Sequence, residues 1–177
     1  MNEKTREKIK GALQIILSIL IVILIFAFGD QLKQFQQYGY LGVFIISAIS
    51  SATIFFPAPG WAFVLAMAKF LDPIALGVTA GVGSAIGEIT GYISGHGVSK
   101  IISTNNNFKK IKEWIIKNDL LAIFVLAAVP NPLFDLAGIA AGSLGIKWWR
   151  FLIATAAGRI IRYVILAYLG LFTMQFV

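Results

Sequence analysis

The stretch VPNPLFDLAG at residues 129–138 interrupts an apolar run that otherwise extends from Leu120 to Leu144. The stretch PAPG at residues 57–60 interrupts a second run, from Leu41 to Leu71, in the same way. Proline removes a backbone donor and ends helices, while glycine favours a turn. Each interruption leaves two apolar halves. At about 1.5 Å per helical residue, these halves are too short to cross a hydrocarbon core about 30 Å thick.

These interrupted runs predict re-entrant helical hairpins, which dip into a membrane and return to the face where they began. The predicted tips are formed by Pro57, Pro59 and Gly60 in the first hairpin and by Pro130 and Pro132 in the second. A tip leaves backbone groups unpaired, so it must be buried in protein or line a wet cavity. A single kinked span is the alternative for the first run.

The overall composition indicates an all-helical integral membrane protein. Hydrophobic residues make up 58% of the 177 residues and charged residues 13%, against about 25% charged in soluble domains. The net charge of +7 comes from bases beside apolar runs, which favours anionic lipid headgroups over nucleic acid. There is no cysteine and one histidine, His96, so the sequence predicts neither a metal site nor a cofactor.

Three further apolar runs predict full crossings. Leu13–Phe28 follows a basic N-terminus and predicts a transmembrane anchor, with a cleaved signal peptide as the alternative. Ile74–Gly95 and Phe151–Phe172 predict two later spans. The span Ile74–Gly95 carries glycines four residues apart, which places them on one helix face where another helix can approach closely. They are Gly83, Gly87, Gly91 and Gly95.

Residues 96–118 are basic, with apolar residues at helical spacing, and predict a short amphipathic helix on the membrane surface. A solvated linker is the alternative. The predicted organisation is an anchor and loop over 1–37, then a core over 38–177. The core divides into repeat one at 38–95, the basic linker and repeat two at 119–177. Basic residues gather at the N-terminus, in the linker and at 147–150, which predicts a cytoplasmic N-terminus.

The two halves of the core predict an inverted repeat. The proline motifs are offset by about 73 residues, and each is followed by a short apolar return and a long small-residue-rich span. Because each unit contains one full crossing, the second unit starts from the opposite face. This is the architecture of many transporters. Chance similarity between two apolar stretches is the alternative.

Charged residues inside the apolar segments mark the candidate site. One such charge costs about 3 kcal/mol on insertion scales, so the group suggests mutual pairing or a hydrated cavity. We expect Glu88 to pair with Arg159 or Arg162, which lie three residues apart on one helix face. A lipid-headgroup path is one interpretation, because a guanidinium matches phosphate well. A buried ion pair that only fixes helix register is the other. The candidate path residues are Glu88, Asn131, Asp135, Arg159 and Arg162.

Three of these stretches resemble the DedA/VTT (SNARE-associated) membrane protein superfamily. They are residues 57–60, the pattern Gly87-Glu88-x-x-Gly91-Tyr92-x-x-Gly95 and residues 129–138, the last being especially similar to the vacuole membrane protein 1 branch. The resemblance implies facing re-entrant hairpins and movement of lipids between leaflets. It also implies that Asp135 matches the family's acid in the second hairpin.

The sequence departs from many DedA proteins in two places, and the departures bear on mechanism. It has Trp61-Ala62-Phe63 where they often carry an acid, and Pro-Asn-Pro where they often carry arginine. These differences favour a scramblase or flippase without covalent chemistry over the first alternative, a proton-coupled transporter of undecaprenyl phosphate or a small solute. A structural or interaction protein is the second alternative. The expected partners are phospholipids or polyprenyl phosphates, with a homo-oligomer left open. The expected location is the plasma membrane, because the chain is close to a bare core.

Overall fold

The computed structural model describes residues 38–52, 60–102, 106–130 and 134–173, together with Ile16 and Leu20. Helix accounts for most of these residues, and no strand occurs among them. The predicted all-helical fold is therefore confirmed over this part of the chain. The predicted anchor at Leu13–Phe28 lies outside it, apart from Ile16 and Leu20, which are helical and exposed.

Seven helices lie within the described ranges. In chain order they are α1 (Gly39–Ala52), α2 (Gly60–Met67), α3 (Pro73–Gly87), α4 (Ile89–Ile102), α5 (Asn106–Ala128), α6 (Phe134–Ser143) and α7 (Trp148–Thr173). Among the described residues, two stretches are long and apolar enough to cross a membrane: Pro73–Gly95 and Trp148–Thr173. Their lengths are roughly 34 and 39 Å at 1.5 Å per residue, sufficient for a hydrocarbon core about 30 Å thick.

Helices α1 and α2 run antiparallel, as contacts at both of their ends show. At one end the backbone N–H of Gly60 donates to Ser50 Oγ at 3.1 Å. At the other end the N–H of Asp72, just after α2, donates to the Tyr40 hydroxyl at 3.3 Å. The first apolar run is therefore folded back on itself. Its connecting residues, which include Pro57 and Pro59, lie outside the described residues.

The span that follows starts at a well-defined helix cap and is interrupted near its middle. Asp72 Oδ1 accepts from the N–H of Ala75 at 2.8 Å, and Pro73 occupies the first helical turn, where its missing donor costs nothing. Helix α3 ends at Gly87 and α4 begins at Ile89. The Thr90 hydroxyl donates to the Gly87 carbonyl at 2.9 Å, and this side chain-to-backbone bond competes with the helical ladder at the interruption.

The basic linker differs from its prediction. Residues 106–128 form one continuous helix, α5, so no element boundary exists at residue 118. Ile111 and Ile115 are buried in the same apolar cluster as Ala122 and Ile123, farther along α5. The apolar face therefore continues through the basic half of the helix. Lysines at 109, 110 and 117 occupy the exposed side.

Two apolar clusters form the core, and α7 belongs to both. One cluster joins α1, α2, α3 and α7 through side chains such as Val43, Met67, Leu76 and Tyr163. The other joins α5, α6 and α7 and contains Phe134, Phe151 and Ala154. Residues 155–162 of α7 therefore lie between the two clusters.

Helices α3 and α7 cross in an antiparallel sense, because Gly77 lies against Val164 while Gly81 lies against Ile160. A Cβ atom on Gly81 would lie 2.7 Å from Ile160 Cα, so the crossing depends on glycine at that position. The start of α3 and the end of α7 consequently lie at one end of the bundle.

Candidate functional site

A buried ion pair lies where α7 passes between the two apolar clusters. Arg159 Nη2 donates to Glu88 Oε1, and the two residues are only 7% and 4% exposed. The pairing that the sequence predicted is therefore present, with Arg159 as the partner. Glu88 occupies the single turn residue between α3 and α4, so the interruption of the span coincides with its acid.

Both charged residues directly follow a glycine at a close helix crossing. A Cβ atom on Gly87 would collide with the Ala48 carbonyl oxygen and the Ala52 nitrogen of α1. A Cβ atom on Gly158 would collide with the corresponding pair of backbone atoms, four residues apart, on α5: the Phe124 oxygen and the Ala128 nitrogen. The backbone beside each charge is thus fixed by a neighbouring helix, which sets the positions from which the two side chains meet.

The guanidinium of Arg159 also lies over an aromatic ring. Its Cζ is 4.6 Å from the centroid of Phe134, the first residue of α6, which is 2% exposed. A cation over an aromatic face gains electrostatic energy, and the gain grows when the pair is removed from water. The sequence analysis did not single out Phe134, although it lies in the quoted stretch between Pro132 and Asp135.

Two arginine nitrogens in this region are buried without a hydrogen-bond partner among the described residues: Arg159 Nε and Arg162 Nε. Arg162 lies one turn farther along α7 and is partly buried. A buried donor without an acceptor typically costs about 1–3 kcal/mol, and more when the group is charged. The site therefore presents two N–H donors that an acceptor oxygen can satisfy.

Several hydroxyl groups lie on the helices that carry or pack beside the pair, and the sequence analysis missed them. Ser51 Oγ of α1 and Ser84 Oγ of α3 share a hydrogen bond of 2.6 Å. Ser47 and Thr155 are fully buried, and their hydroxyls have no partner in the described part of the chain. The available signal was the group of three serines at 47, 50 and 51 in an otherwise apolar run.

The described ends of both interrupted runs lie next to the ion pair. The Thr90 hydroxyl, two residues after Glu88, donates to the Ala52 carbonyl at the end of α1 at 3.0 Å. On the other side Phe134, where α6 starts, contacts Arg159. The last residue of α1 and the first residue of α6 therefore flank the same charged centre.

The remaining predicted path and tip residues are only partly described. Asp135 is the second residue of α6, but its side chain lies outside the described residues, as do Asn131 and Pro132. Pro130 is exposed just after the end of α5. Gly60 starts α2, where a Cβ atom would lie 2.8 Å from Ser50 Oγ.

The four ladder glycines of the span contact different neighbours. Gly83 and Gly87 lie against the backbone of α1, at Phe44 and Ala48, and Gly95 lies against Ile139 of α6. A Cβ atom on Gly91 would meet nothing within 4 Å. The first half of the ladder therefore packs on α1, and its last glycine packs on α6.

Comparison with known proteins gives two relatives from Arabidopsis thaliana. The chain is 36% identical to vacuole membrane protein KMS1, over 46% of this chain and 25% of that protein. It is 35% identical to vacuole membrane protein KMS2, over 46% of this chain and 24% of that protein. The chain thus spans about a quarter of the length of the curated relatives it matches. No solved structure matches it significantly.

These relatives correct one expectation from the sequence. Both are named as vacuole membrane proteins, which points to internal membranes. The predicted plasma-membrane location is therefore wrong. It rested on the absence of extensions around the core, and chain length carries no information about which membrane a core domain occupies.

The family itself follows from a match that covers most of the helical core. The family model described as the VTT domain matches residues 56–172, about two thirds of the chain, and this region contains the ion pair and helices α2 to α6 with nearly all of α7. The two membrane-length stretches and the named relatives agree with it. The chain belongs to the VTT domain family of membrane proteins.

Proposed function

We propose that this protein moves lipids between the two leaflets of a membrane, with no covalent chemistry. The headgroup passes the buried centre formed by Glu88, Arg159 and Arg162 while the acyl chains stay in the bilayer. The observation that carries the proposal is the pair of buried, unpartnered Nε donors on Arg159 and Arg162. A phosphate group offers them the acceptor oxygens they lack, and a planar guanidinium binds phosphate oxygens in a favourable geometry.

In this proposal Glu88 and the surrounding hydroxyls prepare the site for the headgroup. Glu88 offsets one of the two arginine charges, which lowers the cost of keeping both arginines at membrane depth. Ser47 and Thr155 are fully buried with hydroxyls that lack a partner among the described residues, and water that enters with the headgroup would satisfy them. The partners are phospholipids or polyprenyl phosphates. A second copy of the chain remains a further candidate partner.

We also propose that the two interrupted runs are re-entrant hairpins of an inverted repeat. Helix α1 has 14 residues and α2 has 8, roughly 21 and 12 Å, so neither spans a membrane alone. Equivalent contacts recur in the two halves and support the repeat. Gly95 on the first span packs against the Ile139 carbonyl of α6, and Gly170 on the last span packs against the Leu65 carbonyl of α2. Each short return helix thus packs on the long span of the other half.

Reconstitution tests the proposal directly. Purified protein is placed in phosphatidylcholine–phosphatidylglycerol vesicles that contain a headgroup-labelled lipid, and an impermeant reductant bleaches the label in the outer leaflet. We expect the wild type to bring nearly all label to the reductant, and Arg162→Leu to slow this at least about 10-fold, the equivalent of losing one charge-assisted bond. Ile161→Leu, at an adjacent exposed position, is the matched control. A folded Arg162→Leu protein with normal transfer contradicts the phosphate path.

The same vesicles distinguish our proposal from a second candidate function, a proton-coupled carrier. The observation that favours the carrier is the buried carboxylate of Glu88. Lipid transfer in our proposal continues after an imposed pH gradient is collapsed. Loss of transfer on collapse of the gradient favours the carrier instead.

A further inference from the structure

Phe134 contacts Arg159 in a way that leaves part of the guanidinium free. Cζ of the guanidinium lies over the face of the Phe134 ring, 4.6 Å from the ring centroid, so the contact is of the cation–π kind. One N–H donor of the guanidinium, on Nη2, is bound by Glu88, and Nε has no partner among the described residues. The guanidinium thus contacts an aromatic ring and a carboxylate, and its Nε donor remains open.

We infer that Phe134 is a positioning residue of the lipid path: its cation–π contact holds Arg159 in place while Nε stays available to a headgroup phosphate. The inference rests on the proposed function. A second carboxylate in place of the ring would occupy the open donor and neutralise the charge that attracts phosphate. An aliphatic side chain would leave the cation without a favourable electrostatic contact. The aromatic ring stabilises the cation, and Nε is still without an acceptor among the described residues.

The surroundings of Phe134 fix the ring in place. It is 2% exposed and belongs to the apolar cluster that contains Ile123 and Phe151. It begins α6, which packs closely on α4 through Gly95 and Gly142. Helix α4 starts directly after Glu88. The Phe134 ring and the Glu88 carboxylate are therefore both anchored to the packed pair of helices α4 and α6. Groups held in this way place a binding side chain more accurately than groups on a loop.

Fluorinated phenylalanines test this inference, because successive ring fluorines weaken the electrostatic attraction to a cation with little change in ring shape. Mono-, di- and trifluorophenylalanine are incorporated at position 134, and transfer of the headgroup-labelled lipid is measured in phosphatidylcholine–phosphatidylglycerol vesicles. We expect a stepwise decrease that reaches about 3- to 10-fold for trifluorophenylalanine, with Phe134→Leu at least as slow.

The same series at Phe151 is the matched control. Phe151 is fully buried in the same cluster, and its ring stacks on Tyr92 at 5.3 Å. We expect no graded decrease there. Thermal unfolding of every variant identifies any that fail to fold, and the fluorinated series keeps the test valid even if Phe134→Leu does not fold.

The outcomes separate this inference from the function on which it rests. If Arg159→Gln and Arg162→Leu slow transfer but the position 134 series is flat, or only parallels the position 151 series, Phe134 is a packing residue and the inference is overturned. If folded arginine variants transfer lipid normally, the path itself is wrong and the positioning role falls with it.

Discussion

At the residue scale, the Glu88–Arg159 pair has both a structural and a functional interpretation, and the two predict different results. A buried ion pair often adds little net stability, because the cost of removing both charges from water offsets their attraction. Removal of one partner is costly all the same, because it leaves a buried charge unpaired. The pair's presence alone therefore does not distinguish a fixed helix register from a headgroup path.

A double-mutant cycle separates the two interpretations. We expect Glu88→Leu and Arg159→Leu to lower the free energy of unfolding by about 3–5 kcal/mol each, and the double variant to recover most of that loss. Lipid transfer, by contrast, should stay low in the double variant, because the phosphate-binding donor of Arg159 is gone. Unfolding is followed by denaturant titration in detergent micelles, and transfer by the vesicle assay. Recovery of transfer together with stability would favour the purely structural role.

The sequence predicted the charged residues of the site but missed the neutral ones. A charge inside an apolar run stands out because its insertion cost is large, so Glu88, Arg159 and Arg162 could be selected without coordinates. Ser47 and Thr155 could not, because hydroxyls are tolerated in apolar helices wherever a backbone carbonyl is available to them. Only the packed structure shows that these two lack such a partner in the described chain.

At the element scale, the glycine ladder is a set of distinct contacts rather than one uniform stripe. Four-residue spacing predicted a common helix face, but spacing carries no information about which neighbour approaches each position. Gly87 and Gly91 lie four residues apart and have opposite surroundings, since a Cβ at Gly87 meets the backbone of α1 while one at Gly91 meets nothing within 4 Å.

These surroundings predict opposite effects of the same substitution. Gly87→Ala places a methyl group 2.9 Å from the Ala52 nitrogen, so α1 has to move, and we expect a loss of about 1–3 kcal/mol in the free energy of unfolding. Gly91→Ala should be neutral or stabilising by up to about 1 kcal/mol, because alanine favours helix. Unfolding midpoints of the two variants in the same detergent provide the comparison. Equal destabilisation would show that the crossing at Gly87 is not close.

The prediction of α5 shows why element boundaries are difficult to infer from composition. Lysines at 109, 110, 112 and 117 changed the composition at residue 118, and the change was interpreted as the end of a surface helix. The buried face of the helix, through Ile111, Ile115 and Ala122, continues across that position. Periodicity on the buried side therefore determines the element, and charge on the exposed side does not.

At the scale of the whole molecule, the antiparallel crossing of α3 and α7 places the segments that precede these two helices at opposite ends of the bundle. Lys69, between α2 and α3, lies at the end of the bundle where α7 finishes, and Lys147, before α7, lies at the other end. Hydropathy and the proline interruptions predicted the helical class and two long spans. Which helix packs on which follows from contacts between residues distant in the chain, and no local pattern encodes these.

The absence of cysteine makes this arrangement directly testable. We expect single cysteines at Lys69 and Lys147 to react with an impermeant maleimide from opposite faces of sealed, uniformly oriented vesicles, because in the proposed inverted repeat one full crossing, Pro73–Gly95, lies between these two positions. A cysteine at Lys110 should react from the same face as Lys147, since in the proposed arrangement the second hairpin returns to its starting side. Labelling of the cysteines at positions 69 and 147 from the same face would exclude the inverted arrangement.

In the proposed re-entrant arrangement, the length of α1, about 21 Å, would also affect the surrounding bilayer. Acyl chains beside so short an apolar wall would have to tilt or shorten, so the membrane would be thinner there than its usual core of about 30 Å. In the proposed lipid path, a headgroup that crosses at this point would travel a shorter distance through hydrocarbon than it does elsewhere. The protein would then assist lipid transfer partly by thinning the bilayer around it, and thicker membranes would oppose that thinning.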